Sequence, residues 1–248
     1  MKKQKGFTLI ELLVVISIIA LLMSMLMPAL SRVRDQAKAV VCQAQVKQWV
    51  VAFNLYTEDN NGMFHSAKGG QAWLVPLYDY VKEVKLYQCP KATKTINEGG
   101  RQPFAAWEMS KKIHGKSTVL NPSYGINQWI VNYFDPTDET HKFWRTPLVK
   151  SSYKVPMIGD CVQPYLAGPS FLDEPPEFEG DVYFANGYSS GEMKRFCVNR
   201  HNGSIFLGMM DFSVVKVKLT DLWNLEWHRD WNPNNDPLPA WPDWMAQL

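Results

Sequence analysis

The stretch Gly6-Phe7-Thr8-Leu9-Ile10-Glu11-Leu12-Leu13-Val14-Val15-Ile16-Ser17-Ile18-Ile19-Ala20-Leu21-Leu22-Met23-Ser24-Met25-Leu26-Met27 decides how the chain is read. From Phe7 onward it holds one charge, Glu11, and three hydroxyls, at Thr8, Ser17 and Ser24. A helix over residues 7–27, at about 1.5 Å per residue, is roughly 30 Å long, the thickness of a bilayer's hydrocarbon core. A core helix of a water-soluble domain carries a polar face, and this stretch has almost none. Lys2, Lys3 and Lys5 precede it with no acid among them. That bias of flanking positive charge predicts a cytoplasmic amino terminus and an exported remainder.

A cleaved secretory signal needs small residues after its apolar run. Here the run ends in Met25-Leu26-Met27-Pro28 and passes into a charged helical pattern, so that reading fits poorly. A carboxylate inside an apolar helix costs several kcal/mol unless it is paired, which marks Glu11 as functional. Together the basic leader, Gly6, Phe7, the glutamate at Glu11 and the apolar run resemble the processing motif of type IV prepilins and type II secretion pseudopilins. The resemblance implies that prepilin peptidase cuts after Gly6 and methylates the new amine of Phe7. It implies that Glu11 pairs with that amine on a neighbouring subunit and that Pro28 kinks the helix. The implied partners are copies of the chain and other pilins or pseudopilins in a filament, together with an inner-membrane assembly platform. The implied place is the bacterial inner membrane, crossed once, with the carboxy-terminal domain in the periplasm or on a surface filament.

Beyond Pro28 the pattern stays helical but becomes amphipathic. Leu30, Val33, Ala37, Val40, Val41, Ala44, Val51 and Leu55 recur at spacings of three and four. No glycine interrupts residues 7–56, so one helix of roughly 75 Å is expected, its second half packed on a globular domain. The expected fold is α+β and pilin-like: a long amino-terminal helix, transmembrane in its first half, on an antiparallel sheet with loop-rich insertions. The expected divisions are residues 1–6 as leader, 7–27 as membrane or filament-core helix, and 28–248 as exported domain. Gly62 reads as a left-handed cap. Asp59 and Asn61 beside it are the candidates for calcium, although an acidic cap and turn uses the same residues.

Residues 65–200 are rich in turn formers. A short helix is expected at 73–84 and strands at 152–158, 182–184 and 196–199. After the turn Arg200-His201-Asn202-Gly203, residues 204–210 and 213–219 read as strands. In the second, Val215, Val217 and Leu219 alternate with Lys216 and Lys218. His201 and Asp211, nine residues between them, resemble the H-X9-DG segment of pilin-like proteins, with Phe212 where that motif has glycine. They are expected to pair structurally across a hairpin, and Phe212 to force a different turn, since positive φ suits phenylalanine poorly. Five of the ten tryptophans, Trp223, Trp227, Trp231, Trp241 and Trp244, lie in the tail. Intramolecular packing is the expected use. The rival is a membrane-anchored module that stacks glycans or partners on these rings.

Cys42, Cys89, Cys161 and Cys197 form an even set in an exported domain, which suggests disulfides. Cys42 with Cys89 and Cys161 with Cys197 are the favoured pairs, and buried thiols are the alternative. No CxxC and no Cys/His spacing of zinc type is present. Asp160-Cys161 has no local activating group. No nucleophile elbow, phosphate loop or dinucleotide fingerprint occurs, so no enzyme is expected. Basic and acidic side chains number 26 and 24, a balance that argues against specific nucleic-acid binding. Loss of the three leader lysines leaves 23 against 24. The mean hydropathy of −0.24 therefore averages an apolar span with a polar domain.

Overall fold

The computed structural model describes residues 8–66, 73–95, 97–100, 104–113, 115–132, 140–162, 166–181, 192–233 and 238–248. It divides into two compact units, Met1–Val40 and Val41–Leu248. The leader, the strand expected at 182–184, Gly6 and Phe7 lie outside the described residues.

The first unit is the first part of α1 (Leu9–Asp59), which runs without interruption through Pro28. Every residue from 8 to 34 is exposed. The two hydroxyls inside the apolar run satisfy themselves on the helix: Ser17 donates to the Val14 carbonyl at 2.8 Å and Ser24 to the Leu21 carbonyl at 2.7 Å. Such back-bonding keeps a hydroxyl paired where no water is at hand.

The second unit contains the rest of α1. Its buried face is Cys42, Gln45, Val46, Trp49, Val50, Ala52, Phe53 and Thr57. That is a helical stripe, but it is displaced from the one expected. Val40, Val41, Val51 and Leu55 stay exposed. The chain carries two apolar faces here, and the larger side chains, Trp49 and Phe53, take the domain side. α1 ends in a Schellman turn: the Gly62 amide donates to the Thr57 carbonyl at 2.7 Å, and Asn61 and Gly62 both hold positive φ.

Five strands make the main sheet: β5 (Tyr124–Asn127), β6 (Pro156–Asp160), β7 (Leu166–Ala167), β8 (Ser204–Met209) and β9 (Val214–Lys218), in the order β7-β5-β6-β8-β9. All neighbours are antiparallel except β5 and β7. Two small sheets flank it. One pairs β1 (Lys94–Thr95) with β2 (Ala105–Ala106), and the other is the hairpin of β3 (Met109–Ile113) and β4 (Lys116–Leu120).

Strands β5, β6 and β8 are buried at every position, so both faces of the sheet centre are covered. On one face lies α1. A Cβ built on Gly208 would sit 2.3 Å from Val50 Cγ2 and 3.5 Å from Val46 Cγ1, so only glycine admits the helix at this distance. On the other face Ile205, Leu207 and Met209 meet a core built around Phe196, Trp223 and Trp227. The alternation of strand side chains thus serves two cores at once. On β9, Val217 is buried while Lys216 and Lys218 are exposed, as the sequence alternation requires.

Three local expectations are corrected. The helix at 73–84 shrinks to α2 (Leu74–Leu77), followed by a 3-10 turn at Val84–Tyr87. Residues 152–154 are a 3-10 turn that leads into β6. Residues 196–199 form no strand; the Phe196 amide turns back to the Met193 carbonyl at 2.9 Å.

Candidate functional site

Two places carry chemistry: the start of α1 and a buried polar cluster between α1 and the sheet. At the first, Thr8 and Glu11 form a capping box. The Thr8 amide and hydroxyl donate to the Glu11 carboxylate at 2.9 and 2.7 Å, and the Glu11 amide returns to the Thr8 hydroxyl at 3.3 Å. Glu11 therefore closes the helix start of its own chain while its side chain stays exposed. A carboxylate so placed also meets the positive end of the helix dipole. Asp59, a calcium candidate, accepts the Tyr80 hydroxyl at 2.8 Å, and Asn61 takes up the left-handed turn.

The second place corrects the reading of the carboxy-terminal motif. His201 does not pair with Asp211. Its Nε2 lies 3.4 Å from Asp160 at the end of β6, and both side chains are fully buried. Asp211 is exposed and accepts the Ser213 amide at 2.9 Å. Phe212 does adopt the glycine-like conformation, φ +63, and its amide closes on the Met209 carbonyl. The tight turn is kept in spite of the side chain, and Asp211 serves that turn.

Around Asp160 the cluster is dense. Cys42 Sγ lies 3.5 Å from both Asp160 oxygens, and Cys89 Sγ lies 3.5 Å from His201 Nε2. Tyr124 Oη is 3.2 Å from Cys42 Sγ and donates to Gln45 at 2.9 Å. Arg200 Nη1 donates to the Ser123 carbonyl at 2.7 Å and lies 3.4 Å from Asp160 Oδ1. Its Nη2 donates to the carbonyls of Cys161 and Ala105 at 3.1 and 3.3 Å. The Phe206 amide donates to Asp160 Oδ2 at 3.2 Å.

The charges follow from these contacts. Burial pushes the Asp160 carboxyl up, but the His201 hydrogen bond and the Arg200 guanidinium prevail and hold it below the ordinary carboxylate value. Burial opposes protonation of His201, yet the Asp160 and Cys89 contacts raise it to about 9. Cys42 is pushed well up, by burial first and then by Cys89 and Asp160. Burial also opposes the Cys89 thiolate, but the Cys42 hydrogen bond, His201 and Arg200 bring it down to about 7.

A cysteine, a histidine and an aspartate in contact invite a nucleophilic reading. In a catalytic relay the nucleophile and the carboxylate take opposite ring nitrogens of the histidine. Here both meet Nε2, and His201 Nδ1 has no partner among the described residues. The expected disulfides are also corrected: none of the four cysteines is bridged and all are buried. Cys42 and Cys89 do meet, as their favoured pairing required, but Cys42 is directed at Asp160 and Tyr124, and Cys89 at His201. Sequence spacing missed this cluster because its members come from α1, two loops and a strand end.

The tail tryptophans are absorbed by the fold. Trp223, Trp227 and Trp231 are buried, Trp241 packs edge-on against Trp223 at 5.2 Å, and Trp244 donates to the Pro176 carbonyl at 2.9 Å.

Comparison with known proteins bears on the first place. Residues 1–27 match the prokaryotic N-terminal methylation motif. The chain is 43% identical over 77 residues to the type IV wide pilus major component PilA4 of Thermus thermophilus, covering 31% of this chain and 56% of that protein. It is 37% identical over 59 residues to the type II secretion system core protein G of Pseudomonas aeruginosa, covering 24% of this chain and 42% of that one. The chain thus spans about half the length of the curated relatives it matches. No solved structure matches it. The motif match covers the basic leader and the apolar first part of α1. By its amino-terminal segment the chain is similar to type IV pilins and type II secretion pseudopilins.

Proposed function

We propose that the chain is a pilin-like subunit of a helical filament assembled at the bacterial inner membrane. Residues 7–27 insert it, prepilin peptidase cuts after Gly6 and methylates Phe7, and an assembly platform packs it with copies of itself and related subunits. The filament serves type II-type secretion or a type IV pilus, and the subunit's role is structural, with no catalysis. The observation that carries this reading is the methylation motif over residues 1–27. The exposure of α1 supports it. Residues 8–34 are uncovered, and Val40, Val41, Val51 and Leu55 continue an apolar stripe onto the helix half that belongs to the domain. Bilayer covers the first part before assembly, and neighbouring helices cover the whole stripe afterwards. Glu11 meets the neighbour's methylated amine and sets register.

The rival reading, a binding module built on the tryptophan tail, is weakened by the packing of those rings. Three are buried and the other two are half-buried against the domain.

Intact mass and amino-terminal analysis of membrane-extracted protein test the proposal. The expected chain begins at methylated Phe7, and a chain that keeps Met1 in cells with active peptidase overturns it. Glu11→Ala is expected to be processed normally while filament yield falls. Undiminished filaments would remove the role given to Glu11.

A further inference from the structure

We propose that Cys42, Cys89, Asp160 and His201 bind one zinc ion, which fastens α1 to the sheet. The four residues each offer one ligand atom, these atoms all lie within 4.8 Å of one another, and all four residues are buried. The set of two sulfurs, one imidazole and one carboxylate is of the kind zinc takes in four-coordinate sites.

The separations decide the geometry. Bonds of about 2.3 Å to sulfur and about 2.0–2.1 Å to nitrogen or oxygen, at tetrahedral angles, put a sulfur about 3.5 Å from a nitrogen or oxygen and a nitrogen about 3.4 Å from an oxygen. The structure has Cys42 Sγ to Asp160 at 3.5 Å, Cys89 Sγ to His201 Nε2 at 3.5 Å, and His201 Nε2 to Asp160 Oδ2 at 3.4 Å. The His201–Asp160 separation is also long for a charge-assisted hydrogen bond, which ordinarily closes to about 2.7–2.9 Å. Three of the six separations among these ligand atoms thus match the edges of a zinc tetrahedron, and all six lie within 4.8 Å.

Charge agrees. Two thiolates and a carboxylate around a divalent ion leave one negative charge, which cannot stay unbalanced in a core. Arg200, fully buried with Nη1 3.4 Å from Asp160 Oδ1, supplies the balancing positive charge. The Phe206 amide and Arg200 also fix the carboxylate from outside, as the outer partners of metal ligands do. Soft thiolates select zinc over calcium or magnesium, which prefer all-oxygen shells. Binding releases the thiol protons of Cys42 and Cys89 and the Nε2 proton of His201 to solvent, and forms two Zn–S bonds, one Zn–N bond and one Zn–O bond, with no change of oxidation state. The ion occupies the place where a Cys42–Cys89 disulfide would otherwise tie α1 to the loop.

The test uses the full chain extracted in detergent under reducing conditions. Elemental analysis is expected to give about one zinc per chain, and zinc-edge X-ray absorption a shell of two sulfurs and two nitrogen or oxygen atoms. After chelation the melting temperature is expected to fall and to recover with added zinc. Cobalt titration should saturate at one ion per chain with a thiolate charge-transfer band. Cys89→Ser should lose that band and the bound zinc, while Cys197→Ser, a buried thiol outside the cluster, should keep both. A folded wild-type chain that takes up no zinc overturns the proposal. So does a shell without two sulfurs, or a Cys42–Cys89 disulfide found in protein extracted without reductant. The absorption measurement uses the wild type, so it stands even where a buried variant fails to fold. Failure here leaves amino-terminal processing and filament assembly untouched, since those are read at Gly6, Phe7 and Glu11.

Discussion

His65 gives a pH dependence that can be worked from the structure. Its ring is 1% exposed, neither nitrogen has a hydrogen-bond partner among the described residues, and it packs against Phe53 and Tyr56. Burial lowers its pKa from 6.5 to about 4. Above pH 6.5 the ring is neutral in both the folded and the unfolded chain, and its contribution to stability is fully present. As pH falls below 6.5 the unfolded chain takes up a proton that the folded one refuses, so stability drops until about pH 4. At about 1.4 kcal/mol per unit, the loss over that window is on the order of 3 kcal/mol. The assay is urea unfolding of the full chain in detergent at pH 7.5 and 4.5, beside His65→Leu. Other groups titrate equally in both chains, so the difference isolates the ring. The wild type is expected to lose a few kcal/mol more than His65→Leu on acidification. Parallel losses in the two chains would refute the claim that His65 is buried neutral.

Two further predictions concern the sheet. Gly208→Ala places a methyl within van der Waals overlap of Val50, and is expected to destabilise the domain by about 1–3 kcal/mol in thermal melts, with proteolysis exposing the α1 contact. Phe212→Gly removes a phenylalanine from positive φ, and is expected to raise stability by up to about 1 kcal/mol, or to leave it unchanged where lost packing offsets the gain.

Local features were the most legible in sequence. The unbroken apolar run and the lack of glycine announced α1, and the Val/Lys alternation announced β9, because each pattern is written in consecutive residues. The face of α1 that meets the domain was misplaced. Valines and leucines recur on one side, but the choice rests on whether Gly208 and the Trp73 region can receive Trp49 and Val50. The partner of His201 was beyond reach for the same reason. Asp211 stands at a recognisable spacing, whereas Asp160 reaches the site only because β6 lies beside β8. The cysteines make the same point: Cys42 and Cys89 do meet, but the Asp160 and His201 side chains that gather beside them come from elsewhere in the chain. In the tail, tryptophan counts could not separate a binding surface from a core. The hydrogen bonds of Trp227 to Leu222 and Trp231 to Trp223 favour the core.

The two-sided use of β8 has a consequence for how the domain reaches its native state. A slip of β8 by one residue would turn Ile205, Leu207 and Met209 toward α1 and Gly208 toward the tryptophan layer, ruining both cores together. The strand therefore has no near-native alternative register in which to pause. Its pairing with β6 spans some fifty residues of intervening chain, the kind of closure that slows folding. The turn at Phe212 joins β8 to β9 and fixes their register locally before β6 is found. The hairpin is thus suited to act as the nucleus on which helix, sheet and tail converge. Mutations in its turn should then change the rate of folding more than the rate of unfolding.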